Sequence, residues 1–288
     1  MKTGLSGDAV LIQAHFDSVL AGFGSGDVAQ GMGYATRGGK RIRGFLVMET
    51  ARLHDVAGER AIWPACGIEA LHAYSLVHDD LPAMDDDDLR RGQPTVHVKW
   101  DEATAILVGD ALHSLAFELV THPEASEVAE IRADLTLSLA RAAGGQGMVL
   151  GQALDIAAET AATPLSLAEI TTLQAGKTGA LITWAATAGA RMGAGDLAPL
   201  TRYSKALGLA FQIQDDVIDV TGDAAQVGKA VGKDAAAGKA TFVSHLGLDG
   251  ARAEARSLVD AACDALSCYG DKADTLQQLA RFVISRQT

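Results

Sequence analysis

Nine aspartates in two short segments are the residues of this chain best placed to do chemistry. The first segment runs His78-Asp79-Asp80-Leu81-Pro82-Ala83-Met84-Asp85-Asp86-Asp87-Asp88-Leu89-Arg90-Arg91 and packs six carboxylates into ten positions. It follows directly on the apolar run Ile68 to Val77, so Asp79 and Asp80 fall where a buried helix meets something polar. Pro82 is expected to end or bend that helix, which lets Asp85 fold back toward Asp79. Carboxylates crowded this closely repel one another unless a cation neutralises them. Hard oxygen donors with room for water suit Mg²⁺ bridging to a substrate phosphate. Taken alone, such a run reads first as a solvated acidic loop at a helix end. It is not an EF-hand: counting from Asp85, Arg90 occupies the loop position that needs Gly, and no Glu closes the loop.

The second segment is Phe211-Gln212-Ile213-Gln214-Asp215-Asp216-Val217-Ile218-Asp219. Gln212, Asp215 and Asp219 stand at i, i+3 and i+7 and share one stripe of a helix. Asp216 is rotated by about 100° from Asp215. Three carboxylates on an otherwise apolar helix are costly to desolvate unless a Lys or Arg pairs with them or a metal binds them. Two such clusters on two buried helices are more specific than either alone. They predict facing walls that hold several Mg²⁺ ions between them, and the natural group for those ions to bridge is a diphosphate.

A diphosphate also needs cations. Gly38-Gly39-Lys40-Arg41-Ile42-Arg43 puts three just after a double Gly, with Lys40 and Arg43 at i, i+3. A helix starting there would add its backbone amides to the anion site. Arg90 and Arg91 follow the first acidic run, and arginine forks match phosphate oxygens. Lys177-Thr178 sits among apolar neighbours, which argues against a merely solvated Lys. Lys229, Lys233 and Lys239 lie in a Gly/Ala-rich stretch that reads as a loop able to cover a phosphate. His72, Ser75 and Asp79 again share a helical stripe, from which His72 could donate to a phosphate or simply be a core histidine.

Helices must position all of this. Apolar residues recur at helical spacing over Asp8–Phe23, Phe45–Leu53, Ala61–His78, Ala103–Val120, Glu127–Gln152, Leu167–Arg191, Leu197–Val220, Ala251–Leu266 and Thr275–Ser285. Gly22 to Gly39 reads as a Gly-rich loop. Gly144-Gly145-Gln146-Gly147 predicts a kink or close packing inside one long helix. Pro164 and Pro199 are candidate helix starts. No strand pattern competes, so the chain is expected to be all-α, one domain over 1–288 of roughly ten helices. With 24 Lys and Arg against 36 Asp and Glu the net charge is −12, which argues against nucleic acid as a partner. Hydrophobic residues at 48% and charged ones at 21% exclude global disorder. Three scattered cysteines, Cys66, Cys263 and Cys268, form neither a disulfide framework nor a zinc site and fit a reducing cytoplasm. No signal peptide and no charge-free apolar stretch long enough for an integral membrane segment is expected.

With GGKRIR, HAYSLVHDDLPAMDDDDLRRGQPTVH, GDAL, GQALDI, KTGALI and FQIQDDVIDVTGD in this order, the sequence resembles the trans-isoprenyl diphosphate synthases, the bacterial farnesyl diphosphate synthases most of all. The resemblance implies a single-domain isoprenoid synthase-type helical bundle around a central cavity, working as a homodimer. It implies that Asp79, Asp80 and Asp85, with Asp215, Asp216 and Asp219, bind about three Mg²⁺ ions. Arg90, Lys177, Lys229 and Lys239 would contact the allylic diphosphate, and Lys40, Arg43, His72 and Arg91 the diphosphate of isopentenyl diphosphate. Thr178 and Gln212 would lie beside the developing allylic cation, with Gln152 and Asp155 supporting the same cavity. Gly44 stands where the family often has Pro, which should only loosen the helix start. Lys239-Ala240-Thr241-Phe242-Val243 replaces a more usual Thr-Tyr-Pro after the loop lysine.

The product should grow down the helix that carries Asp79, so residues a turn or more before it form the floor. Here these are Tyr74 and Ser75. Tyr74, five positions before Asp79, is similar to the aromatic floor of family members that stop at the farnesyl length. The alternatives are a geranylgeranyl diphosphate synthase of the same mechanism, a terpene cyclase and a non-catalytic regulatory subunit. A cyclase would not need GGKRIR and usually mixes Asn, Ser and Glu in its second metal motif. A regulatory subunit would be expected to have lost an Asp motif.

Overall fold

The computed structural model of the chain describes residues 1–161, 163–222 and 240–286. It is built of helices: α1 (Lys2–Leu20), α2 (Asp27–Ala35), α3 (Ile42–Leu53), α4 (Gly58–Asp79), α5 (Val96–Lys99), α6 (Glu102–Thr121), α7 (Ala129–Ala143), α8 (Met148–Glu159), α9 (Leu167–Gln174), α10 (Ala180–Met192), α11 (Ala198–Thr221), α12 (Phe242–Ala265) and α13 (Asp274–Ser285). A π-helical turn, Ala175–Gly179, joins α9 to α10. Among the described residues the one sheet is a two-residue ladder, β1 (Leu89–Arg90) antiparallel to β2 (Gln93–Pro94). The residues gather into two compact units, Met1–Leu137 with Ala188–Gly195, and Ser138–Thr187 with Asp196–Thr288.

In the first unit α4 packs on α3 and α6. It contributes Ala61, Ala65, Ile68, Leu71 and Val77 to the core, and α6 contributes Ala105, Val108, Leu112, Leu115 and Leu119. The fit of α4 to α6 depends on Gly109. A Cβ there would lie 2.1 Å from Nε2 of His78, whose ring is held by the Ile106 carbonyl at 3.1 Å. This gives the Gly of GDAL a steric role: it makes room for the last His before the first aspartate pair. α6 is also the one described helix long and apolar enough to cross a membrane, and its apolar stripe is spent in this core.

In the second unit α11 packs on α12 and α13. Ile213 and Val217 of α11 meet Phe242, Ala251 and Ala255 of α12 and Ile170 of α9. Tyr203 is fully buried and its hydroxyl donates to the Leu276 carbonyl at 2.8 Å.

Three local expectations change. The Gly-rich segment 22–39 contains a helix, α2, because Gly31 lets it approach Val108 of α6 and Met32 is buried there, so packing overrides a poor propensity. The expected long helix over Glu127–Gln152 is two helices, α7 and α8, broken at Gly144–Gly147. Pro164 does not start α9. That helix begins after Ser166, which forms a reciprocal capping box with Glu169, whereas Pro199 does lie in the first turn of α11.

Gly109→Ala should destabilise the protein by about 1–3 kcal/mol, the usual effect of overpacking. Gly33→Ala, in α2 with nothing within 4 Å of the added methyl, should be neutral or stabilising by up to about 1 kcal/mol. Urea unfolding midpoints of the two variants check both.

Candidate active site

The first aspartate motif is a helix end followed by a tight return. α4 stops at Asp79, and the chain folds so that the Asp85 amide donates to the Asp79 carbonyl at 2.8 Å. Pro82 therefore does what the sequence predicts, and Asp85 does come back to Asp79. Asp80 is buried and its Oδ1 accepts from Arg90 at 2.6 Å (Nε) and 2.5 Å (Nη2). Burial raises the Asp80 pKa and Arg90 pulls it back only in part. Asp87 stands 3.8 Å from the same guanidinium.

Arg90 and Arg91 are separated by the hairpin they belong to. The turn between β1 and β2 consists of Arg91 and Gly92, both with positive φ (54° and 74°). Two left-handed central residues are the signature of the tightest hairpin turn, and a Gly at the second supplies it without strain. Arg90, on β1, reaches Asp80. Arg91 leaves in another direction and donates to the Arg37 carbonyl at 3.0 Å. Its guanidinium lies over Gly39, where a Cβ would come within 2.9 Å. Gly38 and Gly39 both have positive φ (72° and 82°), so the double Gly shapes the turn into α3 and clears space for Arg91.

The three cations of GGKRIR divide by role. Arg41, which the sequence reading leaves out of the Lys40–Arg43 pair, is structural. It caps the start of α3 at φ 52°, pairs with Glu69 at 3.4 Å, donates to Gln13 at 2.9 Å and to the Thr36 carbonyl, and stacks on Phe16. Lys40 is exposed. Arg43 has a buried Nε with no hydrogen-bond partner, a donor open to a ligand. Gly44 is more than a loosened helix start. Its N–H donates to Glu69 at 2.8 Å, which a Pro could not do, and a Cβ would strike Ile12 at 2.6 Å.

His72 is held neutral. Burial first, and then Arg43, Arg91, Arg90 and Arg41, push its pKa well below the ordinary imidazole range. Burial and Arg91 also lower that of Arg43, while Glu69 raises it. A cavity of about 540 Å³ opens beside these groups, lined by Arg37, Arg90, Arg91, Lys99, Asp80 and Tyr34 among others. Arg37 and Lys99 were not singled out in the sequence. Arg37 adjoins the double Gly, and Lys99 follows the hairpin and rests over Tyr34 at 3.7 Å.

Tyr74 is half-buried on α4, in ring contact with His78 (5.0 Å) and His113 of α6 (4.9 Å), and His113 continues to Phe117 (5.1 Å). Ser75 bonds back to the His72 carbonyl at 2.9 Å. His113 and Phe117 thus extend the ring cluster around Tyr74 beyond the residues that α4 alone suggests. Their i, i+4 spacing was the available signal.

In the second unit the π-helical turn carries Lys177 and Thr178. π-Helical turns often sit at functional sites. Lys177 Nζ meets Asp155 of α8 at 2.5 Å. The neighbouring backbones nearly touch, since a Cβ on Gly151 would lie 2.0 Å from the Lys177 nitrogen. This accounts for the small residue before Gln152 in GQALDI. Gln152 Nε2 is buried with no hydrogen-bond partner, and Gln212 is half-buried on α11.

The second aspartate motif has partners of its own. Asp215 Oδ1 accepts from Arg286 at 2.8 Å, and Asp216 Oδ2 accepts the Phe242 amide at 2.7 Å at the start of α12. Asp219 is half-buried. Arg286, a residue the sequence pattern did not single out, stands just beyond α13, where burial lowers its pKa and Asp215 raises it. Lys229, Lys233 and Lys239 lie outside the described residues.

The six aspartates offer the hard oxygens that Mg²⁺ prefers. Among the described residues no three His, Cys, Asp or Glu side chains converge into an ion cage. Mg²⁺ is commonly held by one or two carboxylates and completes its shell with water and substrate phosphate.

Residues 27–279 match the polyprenyl synthetase family. The chain belongs to that family. It is 47% identical over 261 residues to the farnesyl diphosphate synthase of Escherichia coli, covering 88% of this chain and 86% of that one. A chloroplastic geranylgeranyl pyrophosphate synthase of Arabidopsis thaliana matches at 40% identity over 257 residues, 86% and 71% of the two chains. The crystal structure of an FPP/GFPP synthase from Zymomonas mobilis superposes with a TM-score of 0.88 at 41% identity, covering 99% of this chain and 100% of that one. As a polyprenyl synthetase the chain is an all-α prenyltransferase of isoprenoid synthesis.

A depressed histidine pKa links stability to pH. The unfolded chain takes up a proton on His72 below about pH 6.5 and the folded one does not. Its contribution is therefore intact above that pH and lost as pH falls from there toward the depressed folded value. Urea unfolding of the wild type should weaken over this range, and His72→Gln should flatten the slope measurably.

Proposed function

We propose that this enzyme condenses isopentenyl diphosphate with dimethylallyl and then geranyl diphosphate to give farnesyl diphosphate. The observation that carries the reading is that both aspartate motifs and the Arg90–Arg91 hairpin stand intact in a polyprenyl synthetase. Asp79, Asp80, Asp85, Asp215, Asp216 and Asp219 would hold about three Mg²⁺ ions, which when bound neutralise the charge of the leaving diphosphate.

The remaining work falls to the chain's own groups. Arg90 and Lys177, each now paired with a carboxylate, would turn to diphosphate oxygens, with Lys229 and Lys239 completing that shell. Lys40, Arg43, Arg91 and neutral His72 would hold the diphosphate of isopentenyl diphosphate. Donors fixed before the reaction stabilise developing negative charge without reorganising. Thr178 and Gln212 would stand beside the allylic cation, and Gln152 has a buried amide to offer. The double bond of isopentenyl diphosphate attacks that cation, and a proton then leaves to the departing diphosphate. No side-chain base is needed.

We read 1–288 as a single polyprenyl synthase domain, which the unbroken family match supports. We also read it as a cytoplasmic homodimer. Exposed Val149, Leu150, Leu154 and Ile156 on α8 are suited to burial against a second copy, and the free thiols Cys66, Cys263 and Cys268 fit a reducing compartment.

Purified protein with Mg²⁺, isopentenyl diphosphate and either allylic starter should release farnesol after dephosphorylation. Asp79→Ala or Asp215→Asn should cut turnover by at least about a hundredfold with the helical circular dichroism unchanged. Near-normal turnover in either would refute the metal assignment. Asn is used at 215 because Ala would leave Arg286 buried beside a void. Tyr74→Ala should shift the product toward geranylgeranyl length by chromatography, and an unchanged product would remove Tyr74 from the floor.

A further inference from the structure

Arg286 is built into the second aspartate wall more firmly than the aspartate it pairs with. Its Nη2 donates to Asp215 Oδ1 at 2.8 Å and to the Phe211 carbonyl at 2.9 Å, and its Nε to the Val283 carbonyl at 3.1 Å. The guanidinium stacks on the Phe211 ring at 3.8 Å, and the Arg286 carbonyl accepts from Gln214 at 3.0 Å. The Arg286 side chain is 7% exposed and that of Asp215 39%. The cation is therefore fixed by α11 and α13, and the carboxylate is the open member of the pair.

We propose that Arg286 is a resident counter-ion of Asp215, a positioning residue that holds down the divalent-cation affinity of the substrate-free enzyme. The inference rests on Asp215 being a metal ligand. Two effects of Arg286 oppose each other. Fixing the carboxylate favours an ion by saving the ordering of one short side chain. A positive charge one carboxylate away from a divalent ion repels it, and a guanidinium hydrogen-bonded to Oδ1 already draws on the charge the ion would use. The charge effect is the larger, because the ion carries two charges and the arginine, anchored by four other contacts, does not swing away. Affinity is recovered when the substrate diphosphate brings negative charge of its own. Arg286 thus couples metal loading to substrate arrival, and it relieves the mutual repulsion of Asp215, Asp216 and Asp219 while no metal is bound.

The test uses Mn²⁺ as the probe, with no substrate, and reads free Mn²⁺ by electron paramagnetic resonance in wild type, Arg286→Gln, Arg286→Lys and Asp215→Asn. Arg286→Gln should bind Mn²⁺ about tenfold more tightly than wild type, and Arg286→Lys, which keeps the charge, should stay near wild type. Without metal, Arg286→Gln should melt below wild type, and saturating Mn²⁺ should narrow the gap. Affinity in Arg286→Gln that is equal to or weaker than wild type, together with weakened binding in Asp215→Asn, overturns the inference and leaves Asp215 a ligand. Unchanged binding in Asp215→Asn overturns the ligand reading itself. If Arg286→Gln does not fold, Phe211→Leu, which removes the ring under the guanidinium, must move Mn²⁺ affinity in the same direction, and an unchanged value is fatal.

Discussion

Repulsion among crowded carboxylates is the constraint the rest of this structure answers to. Nine aspartates are concentrated in two short segments, one after the end of a helix and one along another, and for those that are wholly or partly buried, such as Asp80, Asp215 and Asp216, burial makes the charge harder to bear. The fold responds by giving the critical members a specific partner. Asp80 has Arg90, Asp215 has Arg286, and Asp216 has the first amide of α12. Asp155 has Lys177. Each arrangement orients a carboxylate, and each uses a cation or amide from a different element. The charge problem thereby ties together different elements: the β1–β2 hairpin to the end of α4, and, across seventy-one positions, the residue beyond α13 to α11.

The basic side of the site obeys the complementary constraint. Several arginines near one pocket must be kept apart, and backbone geometry does this. Positive φ at Gly38, Gly39, Arg41, Arg91 and Gly92 sets the angles at which neighbouring cations leave the chain. Adjacent Arg90 and Arg91 serve different surroundings, and Arg41 is withdrawn into the core by Glu69 while Arg43 keeps an open donor. A neutral His72 among these arginines adds a hydrogen-bonding group without adding charge.

Much of this was legible in the sequence, and the exceptions have physical causes. Helix positions followed from apolar periodicity, and the return of Asp85 to Asp79 followed from Pro82, because both are local effects. What escaped was non-local. α2 was hidden because Gly31 and Gly33 are poor helix formers in isolation, and Gly31 is there to admit Val108 from another helix. The partner that holds Arg41, Glu69, stands twenty-eight positions from it. His113 and Phe117 join Tyr74 from α6, and Arg286 reaches Asp215 across seventy-one positions. No periodicity within a segment reports a partner at that distance.

The wide turn at Ala175–Gly179 works as a phase shifter. It accommodates one residue more than an α-turn would, so the sequence on either side is read out at two different angular settings of what is nearly one continuous rod. Lys177 meets Asp155 from within that turn. A loss of one residue from the turn would keep the rod, its apolar stripe on one side and its length almost unchanged. It would nonetheless rotate one half against the other by about 100°, so the chemistry at this position is encoded in a residue count as much as in residue identity.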